Sequence, residues 1–232
     1  MYCENLTGYL KLLFENGAVK LPSVSNETWR QKVYEKCIHQ IGSKNYAENL
    51  PANIELITKT GIISHLAFEL AKKAKSEFGL DVKSNDIYNV CRLVRPGDTA
   101  EGFRGHFDSH LFTLVTPIQI PDFANLDSTG QLHYFPLARQ RPRSEIRNVL
   151  GKLAYKRFNS ASGFDKLAAK TNKIIDDFAD YQPLLFLGNT TFHGNSPIQS
   201  GVSENRMTIL THFFDPSPKY GIGQVMRMLR KR

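Results

Sequence analysis

The sequence predicts a mainly β fold, a sandwich or barrel with flanking helices and a helical N-terminal region. Three observations carry this. Residues 1–85 hold long apolar stripes at helical spacing, residues 86–216 turn to short runs of β-branched and aromatic residues, and turn signatures close those runs. At 232 residues, 41% of them hydrophobic, the chain is expected to form a single domain over 1–232 with a proper core. Within it, 1–85 is a mainly helical lead-in, 86–216 the β core and 217–232 a basic tail.

Taken in order, Glu27 to Gln40 places Trp29, Val33 and Cys37 at four-residue spacing. Ile63, Leu66, Ala67, Leu70, Ala71, Ala74 and Phe78 form one stripe, with Lys72, Lys73, Lys75 and Glu77 mostly off it. Gly79 then supplies a stop signal. From Asp86 the texture changes. Ile87 to Val94 reads as a strand ending at the turn Pro96-Gly97-Asp98, and Phe103 to Ile120 as a second, closed by Pro121-Asp122. Gly130 to Phe135 is a short strand. A helical pattern returns from Phe164 through Phe178. Leu184 to Phe192 and Met207 to Phe214 then read as strands, separated by the polar loop Gly194 to Glu204.

The net charge of +8 is local. Between Arg139 and Arg157 seven bases face one acid, Glu145, and the tail adds Arg227, Arg230, Lys231 and Arg232, which leaves the remainder slightly acidic. That pattern points to an anionic partner near those segments; solvated helix faces and a loose tail are the plainer alternative. Cys3, Cys37 and Cys91 have neither zinc-ligand nor redox-pair spacing, and an odd count suits a reducing compartment. No apolar run reaches the roughly 20 residues of a membrane span. Met1-Tyr2-Cys3-Glu4-Asn5 lacks the signature of a signal peptide. A cytoplasmic location is expected, with peripheral membrane contact through the tail, whose Val225, Met226, Met228 and Leu229 interleave with bases.

Chemistry concentrates in Arg104-Gly105-His106-Phe107-Asp108-Ser109-His110. On a strand, His106 and Asp108 share a face and can present an imidazole and a carboxylate to one point. A facial triad of two His and one carboxylate needs one more, distant His, and leaves positions open on the metal. His193 is the natural third ligand, set between Gly188 and Gly194, small residues that let backbone approach a metal. His110 extends the pattern and is an alternative ligand to His106. Arg206 and Thr208 share a face further on, a planar cation beside a hydroxyl suited to a carboxylate.

His106-x-Asp108, then His193, then Arg206-x-Thr208 resembles the Fe(II)/2-oxoglutarate-dependent oxygenases. Val94-Arg95-Pro96-Gly97-Asp98 is similar to the strand and Pro-Gly turn of prolyl-hydroxylase-like members. Asp127 to Pro136 is similar to the Gly-x-Leu…Pro segment of phytanoyl-CoA-dioxygenase-like members. The likeness spans about residues 87–215. It implies a double-stranded β-helix (jelly roll) core, with Fe(II) held by His106, Asp108 and His193. It also implies 2-oxoglutarate as co-substrate, chelating the iron and paired through its distal carboxylate with Arg206 and Thr208, and dioxygen as oxidant. Because a carboxylate stands at 108, hydroxylation or desaturation with release of succinate and CO2 is the expected class. Asn89 and Arg92 lie on the strand where relatives place groups touching 2-oxoglutarate or substrate. Arg139, Arg141 and Arg143 fall in the interval that often supplies substrate-binding loops, which suits an anionic small-molecule, sugar or lipid substrate.

Three rival readings remain at this level. Nucleic-acid demethylases of the superfamily carry a second Arg six residues after the 2-oxoglutarate Arg; His212 stands there, which argues against nucleic acid. A non-catalytic jelly-roll binding module makes no use of Arg206-x-Thr208. A zinc hydrolase would need a general base, and none lies at a motif-defined spacing.

Overall fold

The structure, a computed structural model, describes residues 5–23, 25–48, 62–99, 102–121 and 130–216. Cys3, residues 127–129 of the Gly-x-Leu…Pro likeness and the basic tail 217–232 lie outside them. In chain order the elements are α1 (Leu6–Asn16), β1 (Ala18–Lys20), α2 (Glu27–Ile41), β2 (Tyr46–Glu48), α3 (Ile62–Phe78), β3 (Ile87–Val94), β4 (Phe112–Gln119) and β5 (Leu132–Phe135). There follow α4 (Glu145–Tyr155), a 3-10 turn at Lys156–Phe158, α5 (Ala161–Ala168), β6 (Ile174–Asp176), β7 (Leu184–Leu187), β8 (Phe192–Asn195) and β9 (Arg206–Phe213).

The strands pair antiparallel into a six-stranded sheet, β1-β7-β4-β9-β3-β2, and a three-stranded sheet, β6-β5-β8. An isolated bridge between His106 and His193 adds one rung to the free side of β8. The strand parity then decides everything else. On β9, Met207 and Ile209 turn outward to Val33, Cys37 and Ile41 of α2, while α1 and α3 cover Leu185, Leu187 and Phe213. The opposite parity turns inward. Val115, Leu184 and Phe186 of the large sheet meet Leu132 and Tyr134 of the small one. Each such buried aliphatic or aromatic side chain contributes about 1.5–3 kcal/mol of transfer free energy.

Local chemistry sets the element ends. The Asn26 side chain accepts from the Trp29 amide at 2.9 Å and starts α2, and Ser144 and Ser160 do the same for α4 and α5. Gly17, with φ 77°, closes α1 in the left-handed conformation. Pro117 interrupts β4 beyond Val115, the last residue paired with β7, so its missing N–H costs no rung there.

Several features differ from the sequence reading. Leu184 to Phe192 is not one strand: β7 ends at Leu187 in the large sheet, and Phe192 opens β8 in the small one. The lead-in contributes two strands, β1 and β2, at the two edges of the large sheet. The helical pattern from Phe164 stops at Ala168, and Ile174-Ile175-Asp176 pairs with β5 instead, because β-branched residues past the Thr171-Asn172 break find a sheet edge. Phe103 to Ile120 is not one strand: β4 begins at Phe112, and His106 reaches the sheet through its single bridge. Cys37 and Cys91, 54 positions apart, meet across α2 and β3 and hydrogen-bond, both buried. Among the described residues no helix is long and apolar enough to cross a membrane.

Candidate active site

The bridge carries the site. His106 N donates to His193 O at 2.9 Å and His193 N to His106 O at 3.0 Å, a closed pair that turns both side chains to one side. Their ring centroids lie 4.4 Å apart. Each ring then fixes its own tautomer. His106 Nδ1 lies 3.1 Å from Arg104 O and His193 Nδ1 lies 3.2 Å from Thr191 O. A carbonyl only accepts, so both Nδ1 atoms carry the proton and both Nε2 lone pairs are free. Those free atoms point at Asp108: His106 Nε2 to Oδ1 is 3.6 Å and His193 Nε2 to Oδ2 is 3.8 Å. The three ligand atoms lie within 4.8 Å of one another.

Asp108 is held from behind. Its amide donates to Gly188 O at 3.0 Å. Thr113 Oγ1 donates to Oδ2 at 2.6 Å and contacts His212 Nδ1 at 3.0 Å. The hydroxyl proton is committed to the carboxylate, so His212 Nδ1–H donates to Thr113, which orders a relay from β9 through β4 to Asp108. Burial pushes the Asp108 carboxyl up, but His193, His212 and His106 with the Thr113 hydroxyl overcome this and hold it below the ordinary range. Loss of hydration in the cleft and the neighbouring His193 push His106 down to about 4, although its outer edge meets solvent. Burial lowers His193 and His212 too. At neutral pH the cluster is therefore one carboxylate with three neutral imidazoles, a charge of −1 suited to a dication.

Two glycines make this packing possible. A β-carbon on Gly105 would collide with the Phe192 ring, and one on Gly188 would lie 2.8 Å from His110 O and 3.1 Å from Asp108 Cβ. The space their missing side chains leave is filled by protein packed beside Asp108 and His193.

On the same inner face of β9 lie Arg206 and Thr208, both buried. Arg206 pairs with Val94 and Thr208 with Arg92, so Arg92 joins them on that face. Arg206 sits 5.5 Å from the Phe178 ring centroid, and its Nε has no hydrogen-bond partner among the described residues. Burial pushes it down to about 9 and Arg92 adds to this, with Asp176 acting against. Arg92 also lowers His106 and His193, so its field spans the stretch between the histidines and Arg206. A buried cation with an idle donor beside a second cation is an arrangement that wants an anion.

The other expected residues fall elsewhere. Asn89 pairs with Thr211 on the outward face of β3, with Cys91 and Leu93, and is not brought to the cluster. His110 stacks on His212 at 4.8 Å and Tyr88 at 5.8 Å and is not among the clustered ligands. Arg139 Nε donates to Asn189 O at 2.8 Å and its Nη2 to Asn148 Oδ1 at 2.7 Å, with the guanidinium 3.8 Å from the Phe107 ring centroid. Arg141 lies over the Phe78 ring at 4.6 Å. With exposed Arg143 they line a separate open cavity of about 370 Å³ that includes none of the three clustered ligands. Thr113 escaped the sequence reading; its link to His212 joins residues 99 positions apart and shows only as a cross-strand pair.

No family model matches the sequence, and no curated protein is significantly similar to it. Solved structures do match. A Pseudomonas putida prolyl-4-hydroxylase superposes with a TM-score of 0.55 at 12% identity, over 90% of this chain and 97% of that one. The non-haem α-ketoglutarate-dependent epimerase SnoN of nogalamycin biosynthesis gives 0.60 at 11% identity, over 91% and 84%. The dioxygenase for auxin oxidation from Arabidopsis thaliana, in complex with 2-oxoglutarate, gives 0.51 at 10% identity, over 90% and 87%. The two facing antiparallel sheets, with helices packed outside the larger, are thus the jelly-roll fold of the iron and 2-oxoglutarate-dependent oxygenases.

Proposed function

We propose that the chain is an Fe(II)- and 2-oxoglutarate-dependent oxygenase that hydroxylates an anionic small molecule of sugar or lipid type, releasing succinate and CO2. The observation that carries this is a pairing on the inner face. Two neutral imidazoles and one carboxylate converge, and a buried guanidinium with an idle Nε lies on the neighbouring stretch of sheet.

The donor set fits the metal. His106 Nε2, His193 Nε2 and the Asp108 carboxylate are the two-nitrogen, one-oxygen set that suits Fe(II) and leaves positions open. Arg206 and Thr208 fit the distal carboxylate of 2-oxoglutarate, whose charge would complete the hydrogen bonding of a cation buried without a carboxylate partner among the described residues. When bound, iron and co-substrate supply the activation of dioxygen needed to oxidise a C–H bond. The protein's own part is positioning. Arg104 O and Thr191 O hold the imidazole tautomers, and the Thr113–His212 relay keeps Asp108 ionised and oriented. The Phe186 ring, 4.7 Å from His193, excludes water from one side. Arg92, between the histidines and Arg206, would meet negative charge on the substrate.

Neighbours of this fold include a hydroxylase, an epimerase and an auxin-oxidising dioxygenase, so the fold alone does not select the outcome; the carboxylate at 108 supports hydroxylation here. The test is anaerobic addition of Fe(II) and 2-oxoglutarate, which should produce a weak visible charge-transfer band, followed by succinate formation on admitting oxygen with candidate anionic substrates. Folded protein that binds neither Fe(II) nor 2-oxoglutarate would refute the reading.

A further inference from the structure

Helix α4 is mounted inside out. Its polar and small side faces protein: Lys152 Nζ donates to Ser109 Oγ at 3.0 Å, the Asn148 side chain accepts from Arg139, and Gly151 lies against the Arg139 guanidinium. Tyr155 packs on Phe107 and Phe192 at centroid distances of 4.8 and 5.3 Å. The apolar side faces solvent. Ile146, Val149, Leu150 and Leu153, spaced i, i+3, i+4 and i+7, are 61%, 36%, 59% and 52% exposed. No residue of this helix is buried.

The surroundings of the stripe are mainly cationic, with Glu145 in the first turn of α4 the one acid of segment 139–157. Before it, the open cavity of about 370 Å³ is lined by Arg139, Gln140, Arg141, Arg143 and Arg147. After it, Lys156 and Arg157 are exposed on the 3-10 turn. Arg139 and Arg141 are occupied by internal contacts, whereas Arg143 and Arg147 are exposed on the cavity rim. A second copy of the chain would bring this cationic surround against itself, and the basic segment 217–232 has the same sign, so neither complements the face. An aliphatic ridge between cationic ends complements a layer that is apolar within and anionic at its surface.

We infer that α4 docks the protein on an anionic phospholipid surface, with Ile146, Val149, Leu150 and Leu153 entering the acyl boundary and Arg143, Arg147, Lys156 and Arg157 meeting phosphates. The docking surface is α4, a described element distinct from the tail, and the inference does not depend on the oxygenase reading. Lys152 ties the docked helix to Ser109, beside Asp108.

The test is sedimentation of the full chain with phosphatidylcholine vesicles, with and without phosphatidylglycerol. The parent should sediment with the anionic vesicles and stay in solution with phosphatidylcholine alone. Leu150→Glu with Leu153→Glu should abolish sedimentation, and Arg143→Ala with Arg147→Ala should weaken it by roughly 25-fold. A Leu150→Trp variant should show blue-shifted emission quenched by brominated acyl chains. All substituted side chains are at the surface, so circular dichroism and Fe(II)/2-oxoglutarate binding should match the parent, which separates failure here from failure of the oxygenase reading. Any of three results overturns the inference: no sedimentation of the parent, equal sedimentation of the stripe variant, or unquenched indole emission from the Leu150→Trp variant. So does a parent dimer that the stripe variant converts to monomer, or capture by polyglutamate without capture by vesicles.

Discussion

Replacing Arg206 by Met should have opposite effects on the free protein and on co-substrate binding. In the free protein Arg206 is 3% exposed, its Nε is idle and Arg92 lies within its field. Its fall from 12.5 to about 9 corresponds to an upper figure of about 5 kcal/mol disfavouring the charged form. Met keeps the length and apolar stem and removes the charge. The packing around Phe178 returns only part of that figure, so a gain of about 1–3 kcal/mol in unfolding free energy is expected. Binding should go the other way. Two charge-assisted hydrogen bonds to a carboxylate, at about 1.5–3 kcal/mol each, are lost, so 2-oxoglutarate affinity should fall by roughly 100- to 1000-fold or more. Urea unfolding without ligands gives the first quantity. Anaerobic titration of the Fe(II) protein, followed at the charge-transfer band, gives the second, and Fe(II) affinity itself should hold. Unchanged 2-oxoglutarate affinity would refute the assignment. A destabilised free protein would show that the cation already has an anionic partner before co-substrate binds.

Three further outcomes follow from the geometry. Thr113→Val removes the hydroxyl between His212 and Asp108; Fe(II) affinity should fall roughly tenfold or more, with the fold kept, as read by metal titration. His133 is buried with both ring nitrogens unpartnered and is pushed down to about 4 by burial, with Lys173 adding to it. The unfolded chain then binds the extra proton between about pH 6.5 and 4 and the folded one does not, so stability falls as pH drops through that window. His133→Phe should lessen this dependence in urea midpoints measured against pH, leaving the part due to His106, His193 and His212, and an unchanged slope would remove His133 from the account. Gly105→Ala should cost about 3 kcal/mol or more in thermal unfolding, because the added methyl must displace the Phe192 ring beside both histidines. A loss within experimental error would mean that the ring moves freely.

Which parts were legible in the sequence depends on how local the determinant is. Ile87 to Val94 forms a strand with the expected bounds because the run is rich in β-formers such as Ile87, Tyr88, Val90 and Val94. β1 and β2 are three residues each and owe their existence to partners at 184–186 and 90–92, so no local pattern announces them. Phe164, Leu167 and Ala168 lie in a true helix that ends at Ala168; Ile174, Ile175 and Phe178 continue its period by coincidence, and the sheet edge takes Ile174 and Ile175. The grouping of His106, Asp108 and His193 was legible because their residue types are scarce and their order is specific. Asn89 and Arg92 were grouped, yet residues three apart on a strand face opposite ways, and only Arg92 shares the face of Arg206 and Thr208. The Thr113–His212 relay depends on register between strands about a hundred residues apart, which composition does not encode. The outward stripe of α4 runs against the usual rule that a helix hides its apolar side, and only the packing reveals it.

The position of β9 has a consequence for synthesis. The last of the described strands to leave the ribosome lies between β4 and β3, near the middle of the large sheet. Until residues 206–213 emerge, β3 and β4 each lack a neighbour along a whole edge, and Ile118, Cys91 and Leu93 lack the Met207 and Ile209 that complete their cluster. Between the emergence of β4 and that of β9, the nascent chain therefore holds two open edges beside these apolar side chains. Closure of the large sheet is therefore a late event, and truncation before residue 206 would leave it open.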